Sequence, residues 1–486
     1  MKQNNSLLSY LDEIDAKRAS LQALSDEIWG YAETAFEEYQ SAEALSSYLE
    51  KAGFEVERGA CGIETAFIAT FGSGSPKIGI LGEFDALSGL SQTAGVVQVT
   101  TETPGENGHG CGHNLLGVGA IAAALAVKRY IEAGFSGTVV YYGCPGEEGG
   151  SGKAFMARHG VFSDLDCALT WHPSTVNMVV QNSSLANFQV QYSFHGISAH
   201  AAGSPEMGRS ALDALELMNV GTNFLREHML DKARIHYAIT NTGGYSPNVV
   251  QNQAKAIYLI RAPRLEQALE LSKRVEKIAE GAALMTETTV EHQLMKSCAN
   301  FVSNQTLEQV CYDAMQEVGV PTYTDEEYTL ARQFAATEPV GADRSYQDMV
   351  QDHLQLENKQ FLLQKKSGDF YDFIVPYEPM HLTRTEGGST DVGDVSWMCP
   401  TAQIHAAAWA PSTPGHTWQV VAQGKSSYAH KGMLFAGKVI ALTAMRLMQQ
   451  PALLEQAKEE HRLAIQGQTY IPIPADVHPV PLRSVK

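Results

Sequence analysis

Three short apolar runs, each ending in side chains that can bind metal or transfer protons, constrain the fold of this chain most strongly. The runs cover residues 77–83, 137–144 and 166–171. A small-residue helical pattern at 115–133 separates the first two runs, and strands that alternate with helices are typical of a layered α/β domain with a largely parallel sheet. Because α/β proteins place their sites at the carboxyl ends of such strands, we expect one site at that edge.

A different pattern begins near residue 184. Strand, helix, strand, strand, helix and strand candidates follow one another at 186–194, 206–227, 235–241, 254–261, 264–285 and 287–296. This β-α-β-β-α-β order describes a ferredoxin-like unit. The sequence therefore predicts an α+β ferredoxin-like domain at 184–299, inserted into an α/β catalytic domain formed by residues 1–183 and 300–486. Within the latter, the polar stretch 334–388 is interpreted as an elaborated loop or small subdomain.

The charge balance narrows the range of partners. The 486 residues include 54 acidic and 35 basic side chains, a formal net charge of −19. Such a surface repels nucleic acid and anionic membranes, so we expect neither as a partner. Seven scattered cysteines favour a reducing compartment, and no apolar run reaches the roughly 20 residues that cross a bilayer. These features predict a soluble cytoplasmic protein.

The sequence NGHGCGHN at residues 107–114 is the strongest candidate for metal binding. It places Cys111 and His113 two residues apart among glycines, just before the helical pattern. Thiolate and imidazole are good ligands for zinc and related divalent ions. Glycines let the backbone turn tightly enough to direct both side chains at one point. The alternative is a flexible glycine loop with an incidental histidine and cysteine.

Carboxylates and imidazoles at the strand ends reinforce this hypothesis. PGEEG follows the run 137–144 with Glu147 and Glu148, and WHP ends the next run with His172. One carboxylate can bind a metal while the other activates a metal-bound water. A solvated acidic turn and a structural histidine are the alternatives.

Two further motifs carry similar chemistry. GEFDAL ends the run 77–83 with Glu83 and Asp85, and PGHTW, late in the chain, contains His416. His405 and His430 lie close to it in the sequence, and spacing alone does not choose among the three histidines.

Other enzyme classes are disfavoured. The chain contains no Gly-x-Ser-x-Gly motif of a serine hydrolase. GGSGK at 149–153 resembles a phosphate-binding loop, but its first glycine is misplaced and Ala154 follows the lysine. GVGAIA at 117–122 imitates a dinucleotide fingerprint, yet a metal-type loop rather than a strand precedes it.

The motif series as a whole resembles one family. GEFDAL, HGCGHN, PGEEG, WHP and PGHTW, interrupted by a ferredoxin-like insertion, are similar to the M20 metallopeptidases and amidohydrolases. The resemblance covers nearly the whole chain and is strongest to the branch with a CGH loop, which contains aminoacylases, hippurate hydrolases and auxin-conjugate hydrolases. It implies a phosphorylase/hydrolase-like catalytic domain whose inserted domain serves as a lid and dimerisation domain.

The resemblance also implies roles for individual residues. The implied metal ligands are Cys111, His113, Glu148, His172 and His416. Glu147 would be the general base and proton shuttle, and Asp85 would orient a ligand from behind the metals. The family at large has a ligand histidine two residues before this aspartate, where the present chain has Glu83. The division of ligands between two metals therefore stays open.

The inserted domain matches the family at further positions. GISAHAA at 196–202 matches a GxxAH element, which implies that His200 reaches the partner subunit's active site and stabilises the oxyanion. Asn248 matches a position that contacts substrate, and Arg261 and Arg209 are weaker candidates for holding a substrate carboxylate. A surface-turn histidine is the alternative for His200.

The expected activity is hydrolysis of the amide bond of a small N-acyl amino acid, with two divalent metal ions (Zn or Mn) per subunit. p-Aminobenzoyl-glutamate is the first substrate candidate, and a dipeptidase or a general N-acyl amino acid deacylase is the main rival. A regulatory subunit with a vestigial metal site is the non-enzymatic alternative. If His200 acts in trans, the protein is at least a dimer, either a homodimer or a heterodimer with a related subunit.

Overall fold

The computed structural model describes residues 6–103, 105–338, 355–365, 370–379 and 384–481. The chain divides into two compact units. Unit 1 comprises residues 1–181, 302–383 and 398–467, and unit 2 comprises 182–301, 384–397 and 468–486. Parts of the predicted elaborated stretch, 339–354, 366–369 and 380–383, lie outside the described residues. Its described part includes the helix Leu356–Lys365.

Unit 1 is built on a seven-stranded sheet. Its strands in chain order are β1 Glu55–Arg58, β2 Phe67–Ser73, β3 Lys77–Glu83, β4 Gly137–Cys144, β5 Cys167–Ser174, β6 Met178–Val179 and β11 Thr401–Ala407. The spatial order is β1-β2-β4-β3-β5-β11-β6. The four central strands, β4, β3, β5 and β11, run parallel, whereas β1, β2 and β6 pair antiparallel at the sides. The predicted α/β layer with a largely parallel sheet is confirmed.

Helices complete unit 1. They span Asp12–Ala16, Arg18–Tyr31, Tyr39–Lys51, His113–Glu132, Gly152–Arg158, Gln305–Val318, Asp325–Ala335, Leu356–Lys365, Trp418–Gln423, Ser427–Gln449 and Pro451–Ala464. The N-terminal helical segment is divided, because a 3-10 turn at Leu7–Leu11 and a break at Lys17 precede its main part.

The helix His113–Glu132 forms the centre of unit 1. In the described part of the chain it alone is long and apolar enough to cross a membrane, but 83% of its apolar window is buried inside the protein. It packs closely on the helix Ser427–Gln449, where a Cβ added to Gly437 would lie 2.9 Å from the Ala122 side chain. Such close approach requires small residues, so the alanine- and glycine-rich composition reflects a core helix.

Unit 2 contains the other four strands, β7 Ala186–His195, β8 Arg234–Asn241, β9 Gln253–Ala262 and β10 Thr289–Cys298. They form an antiparallel sheet in the order β10-β7-β9-β8. The helices Ala211–Leu225 and Leu265–Thr286 pack against it, and β9 buries every second residue. This arrangement confirms the predicted ferredoxin-like fold.

The first helix of unit 2 begins later than its predicted start at residue 206. Pro205–Met207 forms a separate 3-10 turn, and the Ser210 hydroxyl accepts a hydrogen bond from the Asp213 N–H at 3.1 Å. A serine in this position satisfies a backbone donor that the first helical turn leaves unpaired. The helix therefore starts at Ala211.

Candidate metal centre

The carboxyl ends of three parallel strands in unit 1 bring the predicted chemistry together. Glu83, the last residue of β3, is in register with Cys144, the last residue of β4. The loop after β4 carries Glu147 and Glu148, and His172 lies near the end of β5. Residues from distant parts of the chain therefore meet at one edge of the sheet, as expected for a parallel α/β layer.

The glycine-rich loop delivers two more side chains to this edge. Gly112 adopts a left-handed conformation with φ +73°, and the helix begins at the next residue, His113. The Cys111 Sγ atom lies 3.2 Å from His172 Nε2. Burial lowers the pKa of His172 to about 4, with a further contribution from the charge of His113. Its imidazole is consequently neutral near pH 7, the form that binds a metal.

Asp85 holds two parts of the site. Its Oδ1 lies 2.8 Å from His113 Nδ1, and its Oδ2 accepts a 2.8 Å hydrogen bond from the Glu148 N–H. Burial alone would raise the pKa of Asp85, but the contact with His113 keeps it below its usual range. A buried carboxylate thus fixes the ring of His113 and the turn that carries Glu148.

His416 is the late histidine that reaches the site. The imidazole Nε2 of His416 lies 3.3 Å from Glu148 Oε2, and the backbone N–H of His416 donates to the Gly110 carbonyl at 2.8 Å. The two sequence rivals are placed differently. His430 Nε2 pairs with Asp26 Oδ1 at 3.0 Å, and among the described residues neither His430 nor His405 belongs to a group of side chains that could hold a metal. The geometry therefore favours His416 over both.

Three overlapping groups of side chains could hold a cation. They are Cys111–His113–His172, Cys111–Glu148–His416 and Glu83–His113–Glu147, and the ligand atoms within each group lie within 4.8 Å of one another. Among the described residues, the buried atoms Glu148 Oε1 and His113 Nε2 have no hydrogen-bond partner. Burial also raises the pKa of the Cys111 thiol and the Glu148 carboxyl. Nearby positive charge would favour their anionic forms, so this donor set fits divalent metal.

A buried ion pair beside the site is not predicted by the sequence. The Lys153 Nζ atom lies 2.7 Å from Glu83 Oε1, and both side chains are almost completely buried. Glu83 Oε2 lies 3.2 Å from His113 Nε2, although the two are not aligned for a hydrogen bond. The only local signal is that Lys153 ends the GGSGK run, and that pattern imitates a phosphate loop instead.

Glu38 is a second unpredicted acid near the centre. Its Oε1 accepts a hydrogen bond from the Gly146 N–H at 2.9 Å, and its Oε2 accepts one from the Thr65 hydroxyl at 3.0 Å. Burial, followed by the charge of Asp85, raises the pKa of Glu38 to about 8. It supports the turn before Glu147, and no local motif marks it in the sequence.

The other predicted site residues belong to unit 2. The exposed His200 accepts hydrogen bonds at Nδ1 from the N–H groups of Ala202 (3.2 Å) and Gly203 (2.9 Å). A neutral His200 therefore carries its proton on Nε2. The Ala201 N–H donates to the Asn248 carbonyl at 2.9 Å, so the loops of His200 and Asn248 are adjacent.

The two candidate arginines of unit 2 differ in their surroundings. Arg261 is half-buried, and its guanidinium donates to the Ser389 hydroxyl at 3.0 Å. Burial lowers the pKa of Arg261. Arg209 instead pairs with Glu287 at 2.9 Å and donates to the Glu206 and Gly208 carbonyls. Arg209 is thus engaged within its own unit.

The α/β fold and this cluster of metal-binding side chains are typical of a metal-dependent hydrolase, and the comparison with protein families agrees. Residues 79–352 match the model of peptidase family M20/M25/M40, and the chain belongs to this family. The family predicted from the motifs is therefore confirmed.

Comparison with individual proteins shows which members of this family the chain resembles. The chain is 51% identical to one of the subunits of p-aminobenzoyl-glutamate hydrolase from Escherichia coli K12, over 97% of this chain and 98% of that protein. It is 27% identical to the Xaa-Arg dipeptidase of Mus musculus, over 94% of this chain and 92% of that protein. The solved structure of an aminobenzoyl-glutamate utilization protein from Klebsiella pneumoniae has the same fold, with a TM-score of 0.60, 16% identity, and coverage of 90% and 98% of the two chains.

Proposed function

We propose that the chain hydrolyses p-aminobenzoyl-glutamate to p-aminobenzoate and glutamate at the centre in unit 1. The observation that carries the chemistry is the cluster of thiol, imidazole and carboxylate donors that includes the adjacent pair Glu147 and Glu148. The substrate is supported by the relative that is 51% identical over nearly the whole chain and named for that reaction.

The metal ligands in this proposal are Cys111, His113, Glu148, His172 and His416. These five residues make up the groups Cys111–His113–His172 and Cys111–Glu148–His416, which share Cys111, so together they would hold two divalent ions, zinc or manganese. When bound, such ions lower the pKa of water and polarise a carbonyl oxygen. Asp85 acts on the ligands themselves, because it fixes His113 and the Glu148 backbone at the same time.

Glu147 is the general base in this mechanism. It lies in the loop after β4 and shares a group with Glu83 and His113. Its carboxylate takes a proton from the attacking water as the C–O bond forms at the amide carbon. It then gives that proton to the glutamate nitrogen as the C–N bond breaks, so one water is consumed and both products are released.

Unit 2 contributes substrate contacts and an oxyanion donor. We infer that the inserted region 184–299 acts as the lid and dimerisation domain. His200, with its proton on Nε2, would donate to the developing oxyanion of a substrate bound in the partner's active site. Asn248 and Arg261 would contact the substrate, with the Arg261 guanidinium facing one of its carboxylates.

An exposed apolar face in unit 2 supports association with a second chain. The helix Ala211–Leu225 exposes Leu217, Val220 and Phe224, which recur at helical spacing, and Phe224 is 74% exposed. The edge strand β8 also exposes Tyr237 and Ile239. Apolar faces beside an open strand edge are typical of protein–protein interfaces. The partner would be a second copy of this chain or a related subunit, since the 51% identical relative is itself named as one subunit of its enzyme.

The test is glutamate release by the purified chain from p-aminobenzoyl-glutamate, beside a hippurate and a dipeptide. Metal-free, zinc-loaded and manganese-loaded protein would be compared, with Glu147→Ala as the inactive control. Metal-dependent release from the aminobenzoyl compound, abolished in the variant, supports the reaction and its substrate together.

Other outcomes separate the alternatives. Cleavage of only the dipeptide would favour a dipeptidase, which the 27% identity to an Xaa-Arg dipeptidase keeps as the second candidate. Cleavage of only the hippurate would indicate a broader N-acyl amino acid deacylase. Absence of turnover in the metal-loaded chain would point to a required partner subunit or to a regulatory role.

A further inference from the structure

The sheet of unit 2 has one face covered by helices and one open face. On β9, buried residues that lie on the covered face alternate with the partly exposed residues Lys255, Ile257, Leu259 and Arg261. Successive side chains of a strand point to opposite faces of the sheet. Arg261, one of the proposed substrate contacts, therefore projects from the open face.

Lys296 projects from the same open face. Cys298 of β10 is opposite Asn187 of β7, and Asn187 is in turn opposite Arg261 of β9. The Asn187 amide donates to the Cys298 Sγ atom at 2.9 Å, so these partners share a face beyond the irregular register at 294–296. Lys296 lies two residues before Cys298 on β10 and therefore points the same way as Arg261.

The Lys296 ammonium has no counter-charge. Lys296 is only 9% exposed, yet among the described residues it makes no ion pair or hydrogen bond. The Arg261 guanidinium donates to the Ser389 hydroxyl, but within the described part of the chain its buried Nε atom has no hydrogen-bond partner. A third cation, Arg234 of β8, is directly opposite Arg261. Cations that leave water without anionic partners destabilise a fold, and like charges at opposite strand positions repel each other. This end of the open face therefore favours an anionic ligand.

The spacing of Lys296 and Arg261 suits a ligand with two acidic groups. Their strands lie on either side of β7, and the two positions are offset by two residues along it, so their Cα atoms are about 12 Å apart. Both side chains are long, and their charged ends can approach one ligand from two sides. The two carboxylates of glutamate are joined by a short carbon chain and fit between two such cations. An amino acid with a single carboxylate would leave one cation unpaired.

We propose that Lys296 selects substrates that contain an acidic amino acid, because it binds the side-chain carboxylate while Arg261 binds the α-carboxylate. The inference rests on the function proposed above and assigns its substrate specificity to one residue. An uncharged substrate side chain would leave the enclosed ammonium without a partner, and a site left with unpaired polar groups discriminates strongly between similar ligands. Lys296 contacts the substrate away from the reacting amide bond, so its loss affects recognition more than the chemical step.

Two substrates that differ in a single charge test this proposal. p-Aminobenzoyl-glutamate and p-aminobenzoyl-glutamine have nearly the same shape, but the second has an uncharged amide in place of the side-chain carboxylate. The metal-loaded wild-type chain is expected to cleave the glutamate compound with a kcat/KM about 10- to 100-fold higher, the usual effect of one hydrogen bond between charged groups. In Lys296→Met the preference should fall to about twofold or less, mainly through a higher KM for the glutamate compound.

Lys255→Met is the matched control. Lys255 projects from the same open face but lies further along β9 from Arg261, so its replacement should leave the preference unchanged. Lys296→Arg keeps the positive charge and should keep most of the preference, and Lys296→Gln replaces Lys296→Met if that variant does not fold. Equal cleavage of both compounds by the wild-type chain would overturn the proposal, as would an unchanged preference in the uncharged variants of Lys296.

Failure of the proposed function gives a different result. Calorimetric titration of Glu147→Ala protein with the two compounds measures the preference without turnover, and the Lys296 replacements can be introduced into the same protein. Cleavage of p-aminobenzoyl-glutamate without any preference for its charge would reject only the role of Lys296. Preferential binding that depends on Lys296, combined with a wild-type chain that cleaves neither compound, would reject only the function.

Discussion

Replacement of Asp85 by asparagine should weaken the metal centre without removing a single proposed ligand. Both Asp85 oxygens accept contacts, one from His113 Nδ1 and one from the Glu148 N–H, each at 2.8 Å. Asparagine offers one acceptor and one donor. If its oxygen faces Glu148, its NH₂ group faces His113 and moves the ring proton to Nε2, which then cannot bind metal. If the amide is reversed, two donors meet at Glu148 and displace the turn.

Either orientation predicts the same direction of change. Loss of a residue that orients a metal ligand typically costs about 10- to 100-fold in metal affinity, or about 1.4–2.8 kcal/mol. We expect Asp85→Asn to fall in this range and kcat/KM for p-aminobenzoyl-glutamate to decrease in parallel. The assay is a competition for Zn²⁺ against a chromogenic chelator of known affinity, followed by kinetics at saturating metal.

Asp26→Asn provides the control for this experiment. Asp26 also contacts a histidine, His430, at 3.0 Å in the same unit, but neither residue belongs to a ligand group. Its replacement should leave metal affinity unchanged. The reasoning is refuted if Asp85→Asn retains wild-type affinity, or if Asp26→Asn loses as much.

Three other predictions concern separate parts of the molecule. Burial raises the pKa of Glu308 to about 7 from 4.5, so the unfolded chain releases this proton first and stability is lost as pH rises from 4.5 through 7. Glu308→Gln should restore up to about 3 kcal/mol of the free energy of unfolding at pH 8 and change it little at pH 4.5. Urea unfolding at the two pH values measures this difference, and equal effects at both would contradict the prediction. His200→Ala should lower kcat about 10²–10³-fold while metal content by mass spectrometry stays unchanged, and loss of metal would argue against an oxyanion role. Phe224→Asp should shift the chain to monomer in light scattering. Leu463→Asp is the control, since Leu463 is also exposed but belongs to unit 1, and it should leave the oligomeric state unchanged. A dimer that persists in Phe224→Asp would exclude the exposed face of the helix Ala211–Leu225 as the interface.

Much of the framework can be predicted from the sequence because local patterns are strong there. The strand 137–144 is predicted with its observed bounds, since glycine and proline delimit a continuous apolar run. The ferredoxin-like unit follows from the order of its elements alone. The strand-end motifs also indicate which side chains share an edge, because parallel topology places carboxyl ends together.

The remaining details depend on long-range contacts. His416 could not be chosen over His405 and His430 by spacing, because the choice depends on the approach of Glu148, which is far away in the chain. Lys153 lies in a local pattern that imitates a phosphate loop, whereas its partner Glu83 ends the strand β3, much earlier in the chain. Glu38 reaches Gly146 only through folding, so nothing near it in the sequence signals its position.

The central helix His113–Glu132 also has a consequence for the order of events during synthesis. The helix that covers it, Ser427–Gln449, begins about 300 residues further along the chain. At roughly 5–20 residues per second, a ribosome needs about 15–60 s to synthesise the chain between these two helices. Until then a twenty-residue apolar segment lacks one of its final neighbours, which makes the nascent chain a natural client for chaperones. Release of the chain before residue 427 would leave this surface permanently open to aggregation.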